Sequence, residues 1–350
     1  MRITRIVAAA LAVLALAVAG CGASEGNGES DSAGGEGSGG KPAKLRVAYQ
    51  VIPNGAPIVK HEKWLEEALG IPVEWNQFDS GADVNRAVAS GSVDVGLAGS
   101  SPVANGVASG LPYKVAWIYD VIGDNEQLVV RSSERVSDVA GLKGKKVAAP
   151  FGSTTHYSLL TAITDAGLSP NDVELVDLAP EDIVAAWQRD DIDGAYVWTP
   201  SLSKLKSDGG KVLVSSAELA KQGKLTGDLG IVSNDFAEKY PDVVQTWIDQ
   251  ENRAVELYRS DPDKAAAAVA AEFEISKSEA RSQMKDLIWL DAGQQASAKY
   301  LGTPDDPGDL AKQLETTAKF LKEQKLIDRD PSIDEFNKAV DGEWASKAGG

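Results

Sequence analysis

From Leu45 to Val232 the chain alternates short apolar runs with amphipathic ones, and no other feature restricts its fold as much. The spacing predicts strands over 45–49, 71–75, 93–98, 113–119, 126–131, 146–149, 173–178 and 195–198, with a further strand that begins near Asp228 and ends at Val232. Between them it predicts helices over 59–69, 82–90, from Pro102 onward, over 153–166 and over 180–189, with Gly70 and Gly167 as stops. Strands separated by helices pair mainly in parallel, so the expected class is α/β. The plan runs twice. Residues 84–101 and 183–199 each read helix, turn, Val-Asp or Ile-Asp, then a strand ending in a hydroxyl residue beside a Pro. Two similar lobes follow from that repeat. Beyond Val232 only helical spacing remains, over 241–258, 262–273, 278–287 and 310–324, with Asp309 as a cap for the last. These helices are expected to pack back on the first lobe.

Composition narrows the partners. A chain of 350 residues has room for two lobes. A formal net charge of −17 argues against nucleic acid or an anionic membrane surface as main partner. Two His and one Cys cannot build a Cys/His metal cluster, and neither metal nor cofactor is expected. Residues 1–5 are basic, and 6–19 are apolar but too short for a membrane span. The sole cysteine, Cys21, follows Val18-Ala19-Gly20. This resembles a bacterial lipoprotein signal over 1–20, with a lipid on Cys21; the alternative is a plain secretory signal and a chance cysteine. Residues 21–43, rich in Gly, Ser and Glu, cannot bury enough surface to order themselves and read as a disordered acidic tether. The expected location is the outer face of the bacterial cytoplasmic membrane.

Two strand–helix junctions carry the chemistry. One is Gly152-Ser153-Thr154-Thr155-His156, the other Gly99-Ser100-Ser101-Pro102, where Pro102 suits the first helical position. A helix start leaves backbone N–H groups unpaired. Ser153 caps one, and the others, with the hydroxyls, suit an anion. An ordinary capped helix is the bland alternative. Ligands of open α/β sheets lie beyond the carboxyl ends of the strands, which selects residues 50–54 with Gln50 and Asn54, then Ser100 and Ser101, then Ser153 to His156, and then residues 198–200 with Trp198. Neither junction contains Lys or Arg, so a sulfonate or sulfate fits better than a phosphate. For a ligand amine the candidates are Asp228, Glu126 and the ring face of Trp198. Asp228 otherwise caps a turn, Glu126 otherwise lies on the surface, and Trp198 otherwise joins the core. Asp193 reads as a turn residue and His61 as solvated. His156 lacks a Gly-x-Ser-x-Gly elbow beside it, so a neutral hydrogen-bonding or packing role is expected rather than catalysis.

Several runs carry a resemblance: Val47-Ala48-Tyr49-Gln50, Phe78-Asp79-Ser80-Gly81-Ala82, Gly99-Ser100-Ser101-Pro102, Ser153-Thr154-Thr155-His156-Tyr157-Ser158, Ala185-Ala186-Trp187-Gln188-Arg189 and Asp193-Gly194-Ala195-Tyr196-Val197-Trp198. With Phe236-Ala237-Glu238-Lys239 and Phe320-Leu321-Lys322-Glu323-Gln324 they cover roughly residues 45–340. The chain resembles the taurine-binding branch of the sulfonate/nitrate/taurine family of ABC-transporter substrate-binding proteins. The resemblance implies a type II periplasmic-binding-protein fold, with crossovers near 124–130 and 227–233. Lobe 1 would comprise 44–126 and a helical part, 231–345, and lobe 2 would comprise 127–230. It implies Ser100, Ser101, Thr154, Thr155 and His156 around a sulfonate, and Asp228 near an amine. The surroundings of Asp228, Thr226-Gly227-Asp228-Leu229-Gly230, depart from the family pattern, as does Val51-Ile52-Pro53-Asn54-Gly55. The implied partners are a small ligand (taurine or a close sulfonate, alternatively an alkanesulfonate or nitrate) and an ABC permease with its ATPase, the chain acting as a monomer and not as an enzyme. The enzyme alternative on this fold, a pyrimidine synthase of thiamine biosynthesis, uses a cysteine-rich motif that a sole Cys21 cannot supply.

Overall fold

The computed structural model describes residues 40–348. The expected signal segment, Cys21 and the tether as far as residue 39 lie outside them.

Lobe 1 opens with β1 (Leu45–Tyr49), α1 (Gly55–His61), α2 (Trp64–Leu69), β2 (Val73–Gln77), α3 (Gly81–Ala89), β3 (Val95–Gly99), α4 (Ser100–Ala108) and β4 (Tyr113–Val121). Lobe 2 follows with β5 (Glu126–Arg131), β6 (Lys146–Ala149), α5 (Thr154–Asp165), β7 (Glu174–Asp177), α6 (Pro180–Gln188), β8 (Gly194–Trp198), α7 (Ser201–Ser207), β9 (Gly210–Ser215) and α8 (Ser216–Lys221). The chain then returns through β10 (Gly227–Ser233). The two sheets have the orders β2-β1-β3-β10-β4 and β7-β6-β8-β5-β9. In each, three strands pair in parallel and the incoming crossover strand, β10 or β5, is antiparallel to both neighbours. The expected two-lobed α/β architecture is the one observed.

The remaining helices are α9 (Asn234–Lys239), α10 (Pro241–Ser260), α11 (Pro262–Phe273), α12 (Lys277–Met284), α13 (Ala292–Gln295), α14 (Leu310–Glu323), α15 (Ile333–Ala339) and α16 (Glu343–Lys347). They pack on lobe 1: α10 on α1 and α2, α14 on α4, α15 and α16 on β4. Along α10 the buried Val244, Trp247, Ile248 and Val255 recur at helical spacing, and each buried aliphatic contributes about 1.5–3 kcal/mol. Trp247 lies so close to β10 that a Cβ on Gly230 would meet its ring at 3.1 Å and Trp117 Cβ at 2.7 Å. The outer edge of β4 is blunted from within. Gln295 accepts from Ile118 N at 2.7 Å and donates to Ile118 O at 2.9 Å, which pairs groups that an edge strand would leave open.

Several local expectations change. The single helix over 59–69 is two helices, broken where Lys63 takes a left-handed conformation at φ 55°. The first of them begins earlier than expected, because Asn54 caps it by accepting from Ala56 N. Helix α4 starts at Ser100, so Pro102 is its third residue rather than its first. Asp309 holds the cap position of α14 but its side chain makes no capping bond. The elements α7, β9 and α8 have no counterpart among the expected ones, although Ser215 and Glu218 form a capping box whose spacing is visible in the sequence.

Candidate functional site

Three helix starts meet between the lobes. Ser80 caps α3 by accepting from Asp83 N at 3.3 Å, and Ser153 caps α5 by accepting from His156 N at 3.2 Å. Helix α4 has no side-chain cap, because Gly99 holds that position. Their closeness depends on glycine. A Cβ on Gly81 would lie 2.5 Å from Pro102 Cγ, and one on Gly99 would lie 2.6 Å from Thr154 Cγ2. Gly152, at φ 75°, delivers the chain into α5 with Ala82 only 3.1 Å from its own Cβ direction. Thr154 of lobe 2 therefore rests directly on the α4 opening of lobe 1. Unpaired N–H groups and the positive ends of three helix dipoles converge there.

The crossover strands supply the opposite charge. Glu126, the first residue of β5, pairs across from Trp198 on β8. It is buried; its oxygens accept from Thr154 Oγ1 at 2.6 Å and Ser216 Oγ at 3.3 Å. Asp228, the second residue of β10, lies opposite Gly99 on β3 and opposite Asp120 on β4. Asp120 accepts from Asn54 Nδ2 at 3.2 Å through Oδ2, while Oδ1 has no partner among the described residues. Burial disfavours ionisation of all three. Burial, and then the charge of Asp228, push Glu126 up to about 8. Burial pushes Asp228 up to about 7 and, with the charge of Asp228, holds Asp120 well above the usual carboxylate range. Among the described residues no group of three His, Cys, Asp or Glu is arranged to hold a metal ion.

One small cleft collects these features. Gln50, Ile52, Gly81, Pro102, Glu126, Ser153, Thr154, Trp198 and Asp228 line it, and no Lys or Arg is among them. Of the expected site residues, Gln50, Glu126, Ser153, Thr154, Trp198 and Asp228 thus share one lining. The others lie behind it. Asn54 links the cap of α1 to Asp120. Ser100 Oγ accepts from Gly227 N at 3.3 Å and borders a separate, mostly apolar cavity. Ser101 is buried in the first turn of α4, and Thr155 Oγ1 pairs with Ser153 Oγ at 2.8 Å. His156 Nδ1 accepts from Gly152 N at 3.3 Å, and its ring stacks on Phe151 with centroids 4.2 Å apart. Burial lowers His156 to about 4, so it is neutral, with its proton on Nε2. Glu126 is not a surface carboxylate and Asp228 does not cap a turn. Asp193 accepts from Lys146 N at 2.7 Å, and His61 is exposed beside Glu272. The residue that sequence reasoning missed is Asp120. Its signal was present: a lone carboxylate inside the apolar run Trp117-Ile118-Tyr119-Asp120-Val121-Ile122.

Two mixed α/β sheets on two crossovers, closing over a small polar cleft, define a two-lobed periplasmic binding protein. Solved structures agree with that class. The alkanesulfonate-binding protein SsuA from Xanthomonas axonopodis pv. citri, bound to MOPS, matches with a TM-score of 0.71 at 24% identity, over 85% of this chain and 98% of that one. The periplasmic aliphatic sulphonate binding protein SsuA from Escherichia coli matches with a TM-score of 0.67 at 25% identity, over 84% and 92%. The taurine-binding periplasmic protein of Escherichia coli (strain K12) is 38% identical over 287 residues, 80% of this chain and 87% of that protein. The NMT1/THI5-like family model matches residues 59–265, and the chain belongs to this family.

Proposed function

We propose that this chain is the solute-binding component of an ABC importer and takes taurine, or another small aminosulfonate, in the cleft between its lobes. One observation carries the reading: neutral donors on helix starts face buried carboxylates on crossover strands, and no protein cation lies between them. Such a cleft suits a molecule bearing both charges. The sulfonate takes the N–H groups of α3, α4 and α5; Ser153, which donates to Pro150 O, and Thr154, which donates to Glu126, line the same wall, and Ser100, Ser101, Thr155 and His156 support that half from behind. The ammonium takes Asp228 and Glu126, against the face of Trp198, with Gln50 completing the wall and Asn54 behind it on Asp120. The cleft is narrow and lined by only nine residues, so the solute is small.

Binding stabilises the closed arrangement, in which Thr154 meets Gly99, and the permease with its ATPase engages that form. The moving bodies are 44–126 with 231–345, and 127–230. No covalent step is involved, since Ser153 Oγ donates to Pro150 O and His156 is held by Gly152, so no nucleophile is paired with a base. The similarity to a periplasmic taurine-binding protein supports an extracytoplasmic location. In the same reading Cys21 carries a lipid, residues 22–43 tether the domain to the membrane, and the protein acts as a monomer.

Titration calorimetry against taurine, ethanesulfonate, nitrate and sulfate tests the reading, with the tightest binding expected for taurine. Failure of every sulfonate to bind at micromolar concentration overturns it. Mass spectrometry of the membrane fraction tests the anchor, and Cys21→Ala is expected to release the protein into the medium.

A further inference from the structure

We propose that Asp120 and Asp228 share a proton in the empty cleft, that a ligand ammonium expels it to the medium, and that Asp120, which is not on the cleft lining, thereby couples amine recognition to pH. The inference rests on the function proposed above and adds a residue and a proton to it.

Antiparallel register sets Asp120 of β4 directly across from Asp228 of β10. Both are buried, at 0% and 4% exposure. Asn54 supplies one donor to Asp120 Oδ2, and Oδ1 has none among the described residues. Two ionised carboxylates side by side in a dry site repel each other, and a single proton between them turns that repulsion into a hydrogen bond. The groups facing the pair can be named element by element. Asn54, before α1, is a neutral donor. Glu126 of β5 adds a third acid, with its oxygens occupied by Thr154 of α5 and Ser216 of α8. Tyr196 of β8 reaches Ser216 at 2.9 Å. Ser100 of α4 is engaged by Gly227 N. His156 of α5 is neutral. No Lys or Arg lies among them, so a proton is the one positive charge available until a solute brings its own. The raised ionisation of Asp120 and Asp228, both driven by burial, agrees with a proton retained at neutral pH.

When an ammonium enters against Asp228 and Glu126, the shared proton becomes a second positive charge in the same space. It leaves to the buffer, and the charge of the carboxylate half is unchanged: one ammonium in, one proton out, with the sulfonate held at the helix starts. A sulfonate without an amine leaves the proton where it is.

Calorimetry of the intact protein with taurine at pH 7, in phosphate and in Tris, tests this. The two buffers differ strongly in ionisation enthalpy, so a released proton shows as a difference in heat. The expected result is release of about half to one proton per taurine, with affinity rising between pH 5.5 and 7.5 towards about tenfold per pH unit for a full proton. Ethanesulfonate is expected to release none. Asp120→Asn is expected to lower the release by the shared proton and to reduce the pH slope, leaving only what Glu126 contributes, while taurine still binds. Taurine binding with equal heats in both buffers and no pH slope overturns the proposal, as does undiminished release in Asp120→Asn; the wild-type buffer comparison stands even if that variant fails to fold. Absence of binding by taurine and by every other sulfonate at every pH overturns the function itself, a result distinguishable from binding without release.

Discussion

The two lobes repeat one backbone plan and spend it differently. Sheet for sheet, β1 corresponds to β6, β2 to β7, β3 to β8 and β4 to β9, and each sheet accepts a crossover strand beside its third member. Both crossover strands bring a carboxylate to the cleft at their first or second residue, Glu126 on β5 and Asp228 on β10. The helix starts do not follow the symmetry. Lobe 2 presents α5, the helix after β6, through Ser153 and Thr154. The counterpart in lobe 1, α1, is capped by Asn54, whose amide is committed to Asp120. Lobe 1 instead offers α3 and α4 through Gly81 and Pro102. The duplicated architecture defines places at the ends of strands, and individual side chains decide which places carry donors and which carry charge. The charges lie on the crossovers, the segments that must move when the lobes part.

The uncompensated charge of the crossover half can be broken most directly through pH. Glu126, Asp228 and the buried Glu251 are all raised, to about 8, 7 and 8, by burial. The folded protein therefore binds more protons than the unfolded chain between about pH 4 and pH 8, and stability falls as pH rises across that window and levels off above it. The steepest loss is about 1.4 kcal/mol per pH unit for each group. Thermal unfolding of the ligand-free protein is expected at a lower temperature at pH 8 than at pH 5, and an unchanged or rising Tm would remove the argument.

Next in size, Asp228→Asn is expected to weaken taurine by about 2–5 kcal/mol, because it removes one partner of a buried charge pair. An amine-free alkyl sulfonate should lose much less in the same variant. Equal losses would abolish the division between a donor half and a charged half.

Gly81→Ala tests how far the donor half depends on close approach. Its Cβ would stand 2.5 Å from Pro102, so α3 and α4 must separate, at a cost of about 1–3 kcal/mol in stability read from the denaturant midpoint. Thr154→Val is expected to cost about 1–2 kcal/mol in affinity for taurine and alkyl sulfonates alike. Thr155→Val should cost less, since that hydroxyl serves Ser153; the reverse order would relocate the contact.

The α/β class, the two-lobe repeat, the Ser153 cap and the presence of a helix beside Pro102, though not its start at Ser100, were legible in the sequence because caps and apolar periodicity act within a few residues. The absence of Lys and Arg at both junctions was legible for the same reason. The break at Lys63 was not; next to it Trp64 is buried under Arg253, whose guanidinium stands 3.8 Å from the ring centroid, a tertiary contact that local spacing does not display. Strand β9 escaped because it is half exposed and carries Lys211, Val212, Leu213 and Val214 without clear alternation. Above all, the sequence by itself determined which residues could donate to an anion, but only the tertiary structure decided where its carboxylates would meet. Asn54, Asp120, Glu126 and Asp228 lie on four segments, and the register of β10 against β4 is what sets two of those acids face to face. Pairing across a sheet is non-local, and burial raises a carboxylate only once the surrounding fold has removed its water.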